Sequence, residues 1–185
     1  MTSEQLIEEC LKTCGHDFAK TRAERVVSTQ SLPVLWGLIE NCKQLNLPKA
    51  DLEKLEFRSA YILEAVYLKD SQSFTPFLPR FFEIFPSVTN GSMRRHFSKI
   101  CFFAIKKGYS PPNVEAIATA CADWIIDLHT RVAVKVWALD ILFEFSKTEK
   151  WLKELLPEII ESISKNPSQG MLVRLRRIKN NLSVP

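Results

Sequence analysis

The stretch FLPRFFEIFPSVTNGSMRRHFSKICFFAI, residues 77–105, holds two apolar runs separated by the polar turn PSVTNGS, and a pair of arginines opens the second run. In both runs apolar residues recur three and four apart, the spacing of one face of an α-helix. The stretch is therefore a predicted helical hairpin, and the fold depends on whether that hairpin recurs. FLPRFFEIFPS at 77–87 superposes on LLPEIIESISK at 155–165, 78 residues later, which is twice 39. Arg22 in KTRAERVV, Arg58 in EFRSAYILEAVYL, Arg95 in RRHFSKICFFAI and Arg131 in TRVAVKVWALDIL each open a helical run, at spacings of 36, 37 and 36 residues. A last run, QGMLVRLRRIKNNL, follows about 39 residues on. Self-similarity at this period, with two helices per unit, marks an α-solenoid.

The rest of the chain agrees. Its 185 residues, 46% hydrophobic and 25% charged, suit a single globular domain with a real core. Only five glycines and ten prolines occur, and the apolar spacing breaks at turn signals such as LNLPKAD, PSVTNGS, GYSPPN and KNPSQG rather than giving way to alternation. Helices are predicted at 3–14, 17–29, 31–45, 51–70, 73–86, 92–107, 112–127, 129–147, 150–165 and 168–182, with no strand. Ser31 before Leu32 and Pro33, and Ser92 before MRRHF, are predicted N-caps. Pro79 and Pro157 fall inside predicted helices, where each must mark a kink or a later true start.

The helix at 131–145 tests the stacking without reference to any family. At roughly 100° per residue, Arg131 and Lys135 share one polar stripe and Asp140 and Glu144 the opposite one. Both flanks between them are apolar: Val132, Val136, Leu139 and Phe143 on one, Val134, Trp137, Ile141 and Phe145 on the other. A surface helix needs one apolar stripe, whereas two predict neighbours on both sides.

PFLPRFFEIF…RRHFSKICFFAI and WIIDLHTRVAVKVWALDIL resemble the HEAT repeat, whose second helix often starts with valine or another residue before arginine and continues through small and apolar positions. Arg131, Ala133, Ala138 and Leu139 match that pattern, as do Arg58, Ala60 and Ala65. The resemblance covers about four units, 31–70, 73–107, 112–147 and 150–182, after an N-terminal cap and incomplete repeat at 1–30. It implies one all-α domain over 1–185, a right-handed α-α superhelix of about four to five HEAT-like hairpins, and an armadillo-like or irregular helical variant stays open.

Charge gives the candidate site. The formal charge of +4 is mild, so placement matters more than the total. Aligned on their leading arginines and stepped by four, three and four residues, the second helices present Arg58 and Lys69, then Arg95, Lys99 and Lys106, then Arg131 and Lys135, then Arg174 and Arg177. With Arg22 at the front, ten bases share the column and no acid does. Second helices line the concave face of HEAT solenoids, so the resemblance turns this column into a basic groove for an acidic protein segment or a nucleic-acid backbone. An acidic protein or peptide is the expected partner, because Phe102 is the lone aromatic among these positions and single-strand platforms need several. The competing explanation, preferred on sequence alone, is a structural ladder in which each arginine pairs with an acid of a neighbouring turn, as Arg131 with Asp127, and the lysines are solvated.

Catalytic patterns are missing. His16, His96 and His129 are scattered, and no phosphate loop, nucleophile elbow, HExxH or paired-cysteine zinc pattern occurs. Cys10, Cys14 and His16 lack both the CxxC spacing and a second cluster, so no metal or cofactor is expected and the cysteines are predicted buried thiols. His129 beside Asp127 is expected to serve an inter-helix turn rather than acid–base chemistry. Trp36, Trp124, Trp137 and Trp151 are expected in the core. The chain is similar in architecture to HEAT-like DNA glycosylases acting on alkylated bases, which place tryptophans and an aspartate on the concave face. That resemblance makes Trp124, Asp127, Trp137 and Asp140 the residues of the alternative function. MTSEQLIEECLKTCG is polar and acidic where a secretory signal is basic and then apolar, and no run reaches 18 apolar residues. A cytoplasmic protein with no membrane partner and no small-molecule substrate is expected.

Overall fold

The computed structural model describes residues 1–12, 15–164 and 167–182, and all regular structure among them is helical. The helices are α1 (Ser3–Leu11), α2 (Phe18–Ser28), α3 (Leu32–Asn41), α4 (Lys49–Lys69), α5 (Ser71–Phe74), α6 (Leu78–Ile84), α7 (Gly91–Lys106), α8 (Val114–Ile126), α9 (Val132–Phe145), α10 (Lys150–Ser164) and α11 (Gln169–Leu182). No described helix is long and apolar enough to cross a membrane.

Where the helices depart from the predicted spans, local chemistry gives the reason. The single helix predicted at 73–86 is broken into α5, a 3₁₀ turn at Thr75–Phe77, α6 and a second 3₁₀ turn at Phe85–Ser87. Pro76, Pro79 and Pro86 each sit at the first positions of a new segment, where the missing N–H removes nothing the helix needs. Pro157 instead stays within α10, on its exposed side. Asn90, not Ser92, caps α7: its side-chain oxygen accepts from Ser92 N at 2.9 Å and Met93 N at 3.1 Å. Ser31 does precede α3, with Pro33 in the first turn, but its hydroxyl makes no cap bond. That hydroxyl instead meets Thr29 at 2.7 Å and the Met1 amino group at 3.0 Å. A capping box at Thr2 and Gln5 opens α1.

Packing follows chain order. Helix α2 lies on α4, α4 on α7, α7 on α9 and α9 on α11, while α1 meets α3 and α8 meets both the 3₁₀ turn at Phe85–Ser87 and α10. Helices α4 and α9 have neighbours on several sides, which explains why neither shows one dominant apolar stripe. Between the layers run aromatic contacts: Trp36 edge-on to Phe74 at 5.8 Å, Phe81 against Phe97 at 4.9 Å, and Phe85 against Trp124 at 5.1 Å. Each fully buried phenylalanine contributes about 2–3 kcal/mol by removal from water. Trp36 and Trp124 are buried as expected and Trp137 is partly so, but Trp151 is not a core residue. It falls beside the inward stripe of Leu152, Leu156 and Ile159 and is 41% exposed.

Candidate functional site

The ten bases of the column do not share one environment. At the N-terminal end Arg22 Nε lies 2.9 Å from Glu9 Oε2, and Lys69 Nζ lies 3.5 Å from Glu24 Oε1. Arg58 reaches the end of α1, donating to the carbonyls of Cys10 at 2.6 Å and of Lys12. It thereby satisfies acceptors that the helix terminus leaves open. The Arg22 and Arg58 guanidiniums each lie 5.4 Å from the Phe18 ring centre. These three bases are structural in their contacts.

Two further groups of bases converge on buried carboxylates of the helix packed against their own, α7 on α4 and α11 on α9. Glu64 of α4 accepts from Lys99 Nζ at 2.6 Å, and its other oxygen lies 2.6 Å from His96 Nδ1. His96 is buried and stacks on Tyr61 at 4.8 Å and Phe57 at 5.6 Å. Burial pushes the Glu64 carboxyl up, but the hydrogen bonds and charges of His96 and Lys99 outweigh it and hold the group below its usual range. Asp140 of α9, fully buried, faces Arg174 Nε at 3.0 Å and a hydrogen bond from Arg177, both from α11. Here burial wins, aided by Glu144, and the carboxyl sits above its ordinary value despite the two guanidiniums. Arg174 also lies 5.5 Å from the Trp137 ring.

Between these two clusters the column is uncompensated. Arg95 is exposed and makes no hydrogen bond or ion pair with any described residue. Arg131 donates only to Ser92 Oγ, at 3.0 Å, so the predicted pairing with Asp127 is not made. Asp127 is occupied by its own turn: its carboxylate accepts from His129 N at 3.0 Å and Thr130 Oγ1 at 2.7 Å. Those bonds, the Thr130 one first, hold its carboxyl below the ordinary value, and they delay the start of α9 to Val132. Lys106 lies over the Phe102 ring at 5.5 Å, and Lys135 has no bonded acid among the described residues. Where α7 meets α9, aromatic contact replaces ion pairing, with Trp137 5.4 Å from Phe102 and 6.0 Å from Phe103.

Three cavities open beside this stretch. One of about 620 Å³ runs along Glu53, Lys54, Glu56, Phe57, Arg58, Ser92 and Arg131, so it mixes both signs of charge. A neighbouring one of about 360 Å³ shares Phe57, Ser92 and Arg131 with it and adds Arg95 and His96. The structure therefore gathers Arg58, Arg95 and Arg131 at one place and leaves Arg22, Lys69, Lys99, Arg174 and Arg177 in ion pairs elsewhere. Across the first turn of α9, a third cavity of about 440 Å³ is mainly apolar, formed by Ile126, Leu128, Val132, Ile163 and Met171 with Lys135 at its edge.

Glu64 and Asp140 are the residues the column alignment missed. Each stands 35 to 37 positions before its base, about one repeat, so an alignment within single helices does not bring them into view. Cys10, Cys42, Cys101 and Cys121 are all buried, and burial drives Cys101 and Cys121 well above the usual thiol range. Cys14 lies outside the described residues, and His16 is exposed beside Asp17. No group of three metal-ligating side chains occurs among the described residues. No protein-family model matches the chain, and neither does any curated protein or solved structure.

Proposed function

We propose that the chain is a short, right-handed α-solenoid of four to five HEAT-like hairpins, with units near 31–70, 73–107, 112–147 and 150–182. In this reading it acts in the cytoplasm as a non-catalytic scaffold that binds an acidic protein segment. The serial packing of α2, α4, α7, α9 and α11 supports the repeat. One observation carries the function: Arg95, Arg131 and Lys135 have no bonded acid among the described residues, while Lys69, Lys99, Arg174 and Arg177 are paired with acids. Cations left unpaired beside cavities attract an anionic partner and steer its approach. Ladder and groove thus divide the column between them.

The test is fluorescence anisotropy with an acidic peptide pool and with single- and double-stranded DNA and RNA, at salt stepped from about 50 to 200 mM. Wild type is compared with Arg95→Glu/Arg131→Glu/Lys135→Glu after circular dichroism has verified folding. Peptide binding that weakens with salt and disappears in the variant is the expected outcome. Peptide binding equal in the two proteins refutes the reading.

A second reading, a glycosylase acting on alkylated bases, draws on Trp137, which is partly exposed next to Arg174 and three positions before Asp140. Against it, Trp124 is buried beneath Arg94, 4.9 Å from its ring, and Asp140 is enclosed by its two arginines. Release of alkylated bases from DNA by wild type, and its loss in Asp140→Asn, is the result that favours the enzyme.

A further inference from the structure

The smaller of the two cavities that share Phe57, Ser92 and Arg131 has a composition that narrows its ligand. It is formed by α4, α7 and the start of α9, and no carboxylate lines it. Arg95 brings a guanidinium with no partner among the described residues, and Arg131 one with a single bond to a hydroxyl. His96, only 2% exposed, belongs to the same wall. Its ring is fixed by stacking between Phe57 and Tyr61 and by the Glu64 carboxylate at Nδ1. The other ring nitrogen, Nε2, is buried and has no hydrogen-bond partner among the described residues. Buried polar nitrogens are nearly always satisfied by protein or ordered water, so an unsatisfied one on a residue that lines a cavity marks a place for a further polar atom.

We propose that this cavity seats one phosphate group, carried as a phosphorylated side chain on the acidic segment, with Arg95 and Arg131 clamping its oxygens and His96 Nε2 taking the innermost one. The proposal rests on the reading of the basic face given above and names the group that face selects. Two unpaired guanidiniums and a third, buried contact exceed what one carboxylate can use. A phosphate monoester brings three acceptor oxygens and nearly two charges, and planar guanidinium forks suit them. With Nδ1–H serving Glu64, Nε2 meets a phosphate oxygen in either state of the ring, donating when it carries a proton and accepting from a phosphate that retains one. A nucleic-acid strand fits less well, since its phosphates need a continuous cationic track. Here Lys69, Lys99, Arg174 and Arg177 are all held by acids on the two sides of the cavity.

The experiment is a titration of the full chain with inorganic phosphate, and with chloride at matched ionic strength, followed by NMR of the His96 ring nitrogens and the arginine Nε–H groups. Acidic peptides with one central phosphoserine or serine, and a single-stranded oligonucleotide, follow by anisotropy. Phosphate is expected to shift His96 Nε2 saturably and chloride is not. Phosphoserine is expected to tighten peptide binding about tenfold, the factor one charge-assisted hydrogen bond provides. Arg95→Ala and Arg131→Ala, both exposed positions, are expected to remove that gain and keep the fold, and His96→Phe to remove it if the variant stays folded. Equal affinity for the two peptides, or a phosphate response no different from chloride, overturns the proposal and leaves the wider reading standing if both peptides bind. Saturable phosphate binding with no peptide binding overturns the wider reading and the phosphoprotein source together. Oligonucleotide binding tighter than phosphopeptide overturns the source alone.

Discussion

Glu64 and Asp140 occupy corresponding places, each a buried acid on one helix approached by two bases from the next, and they settle differently. Glu64 receives contacts at 2.6 Å on both oxygens, from a buried ring and from an ammonium, and remains readily ionised. Asp140 is enclosed more completely, lies between two guanidiniums that are themselves partly in water, and resists ionisation. What decides the sign is whether hydrogen bonds to both oxygens replace the water that burial removes; proximity of positive charge alone does not. The first cluster fastens α4 to α7. The second joins α9 to α11 at a cost in desolvation, and between them α7 meets α9 through Phe102, Phe103 and Trp137 with no ion pair at all.

The largest effect that separates the two clusters is expected from Glu64→Gln. It leaves Lys99 and His96 facing each other without the carboxylate, the situation in which breaking a buried pair costs about 3 kcal/mol or more. Urea unfolding measures it, and a double-mutant cycle with Lys99→Met isolates the pair. A loss under about 0.5 kcal/mol removes Glu64 from its place as a fastening.

A scale free of charge effects comes from two turns of the same type. After α2 the chain turns through Gln30 at φ 52°, with Gln30 N donating to Val27 O at 3.1 Å and Ser31 N to Val26 O at 2.9 Å. After α7 it turns through Gly108 at φ 90°, with the matching bonds from Gly108 N to Ile105 O and Tyr109 N to Ala104 O. Both are Schellman endings, and only one has the residue suited to the left-handed position. Gly108→Ala meets no atom within 4 Å, so its expected loss of about 1 kcal/mol is backbone strain alone, and Gln30→Gly should regain a comparable amount. Thermal melts showing both changes near zero would mean these turns do not hold the geometry described.

Asp140→Asn sharpens the comparison through pH rather than size. Because the folded carboxyl of Asp140 titrates above its unfolded value, its contribution to stability is greatest below about pH 3.9 and is lost as pH rises through the folded value. Glu64, titrating below its unfolded value, contributes fully above about pH 4.3 and loses that contribution as pH falls through the folded value. Wild type should therefore lead Glu64→Gln most at neutral pH and lead Asp140→Asn most in acid, with the Asp140→Asn difference at pH 7 under about 1 kcal/mol. Denaturation at stepped pH that gives both differences the same slope would break the distinction.

Helix positions were legible in the sequence because apolar spacing and turn residues act locally. Thus 51–70 was predicted and Lys49–Lys69 is found, and 92–107 became Gly91–Lys106. The run 73–86 was misread because its apolar pattern is helical while Pro76, Pro79 and Pro86 forbid a continuous hydrogen-bond ladder. The column of bases was legible as a register, but its meaning was not. Whether a base is paired depends on an acid one repeat earlier in the chain; Glu64 sits amid apolar neighbours, and Asp140 reads as part of a polar stripe although it is fully buried. His96 looks isolated in the sequence because the wall it completes comes from α4, α7 and α9 together.

The smallest stability effect is expected where the functional effect is largest. Arg95 and Arg131 hold no acid, so Arg95→Ala/Arg131→Ala removes no ion pair and should change unfolding free energy by no more than about 0.5 kcal/mol. If anything it relieves repulsion among Arg95, Arg131 and Lys135. Residues that stabilise a fold differ in this respect from those proposed to meet a partner: among the described residues no acid is bonded to Arg95 or Arg131. A loss of 2 kcal/mol or more in that double variant, measured by urea unfolding without any ligand, would make the two arginines part of the ladder after all, and the middle of the column would then be no different from its ends.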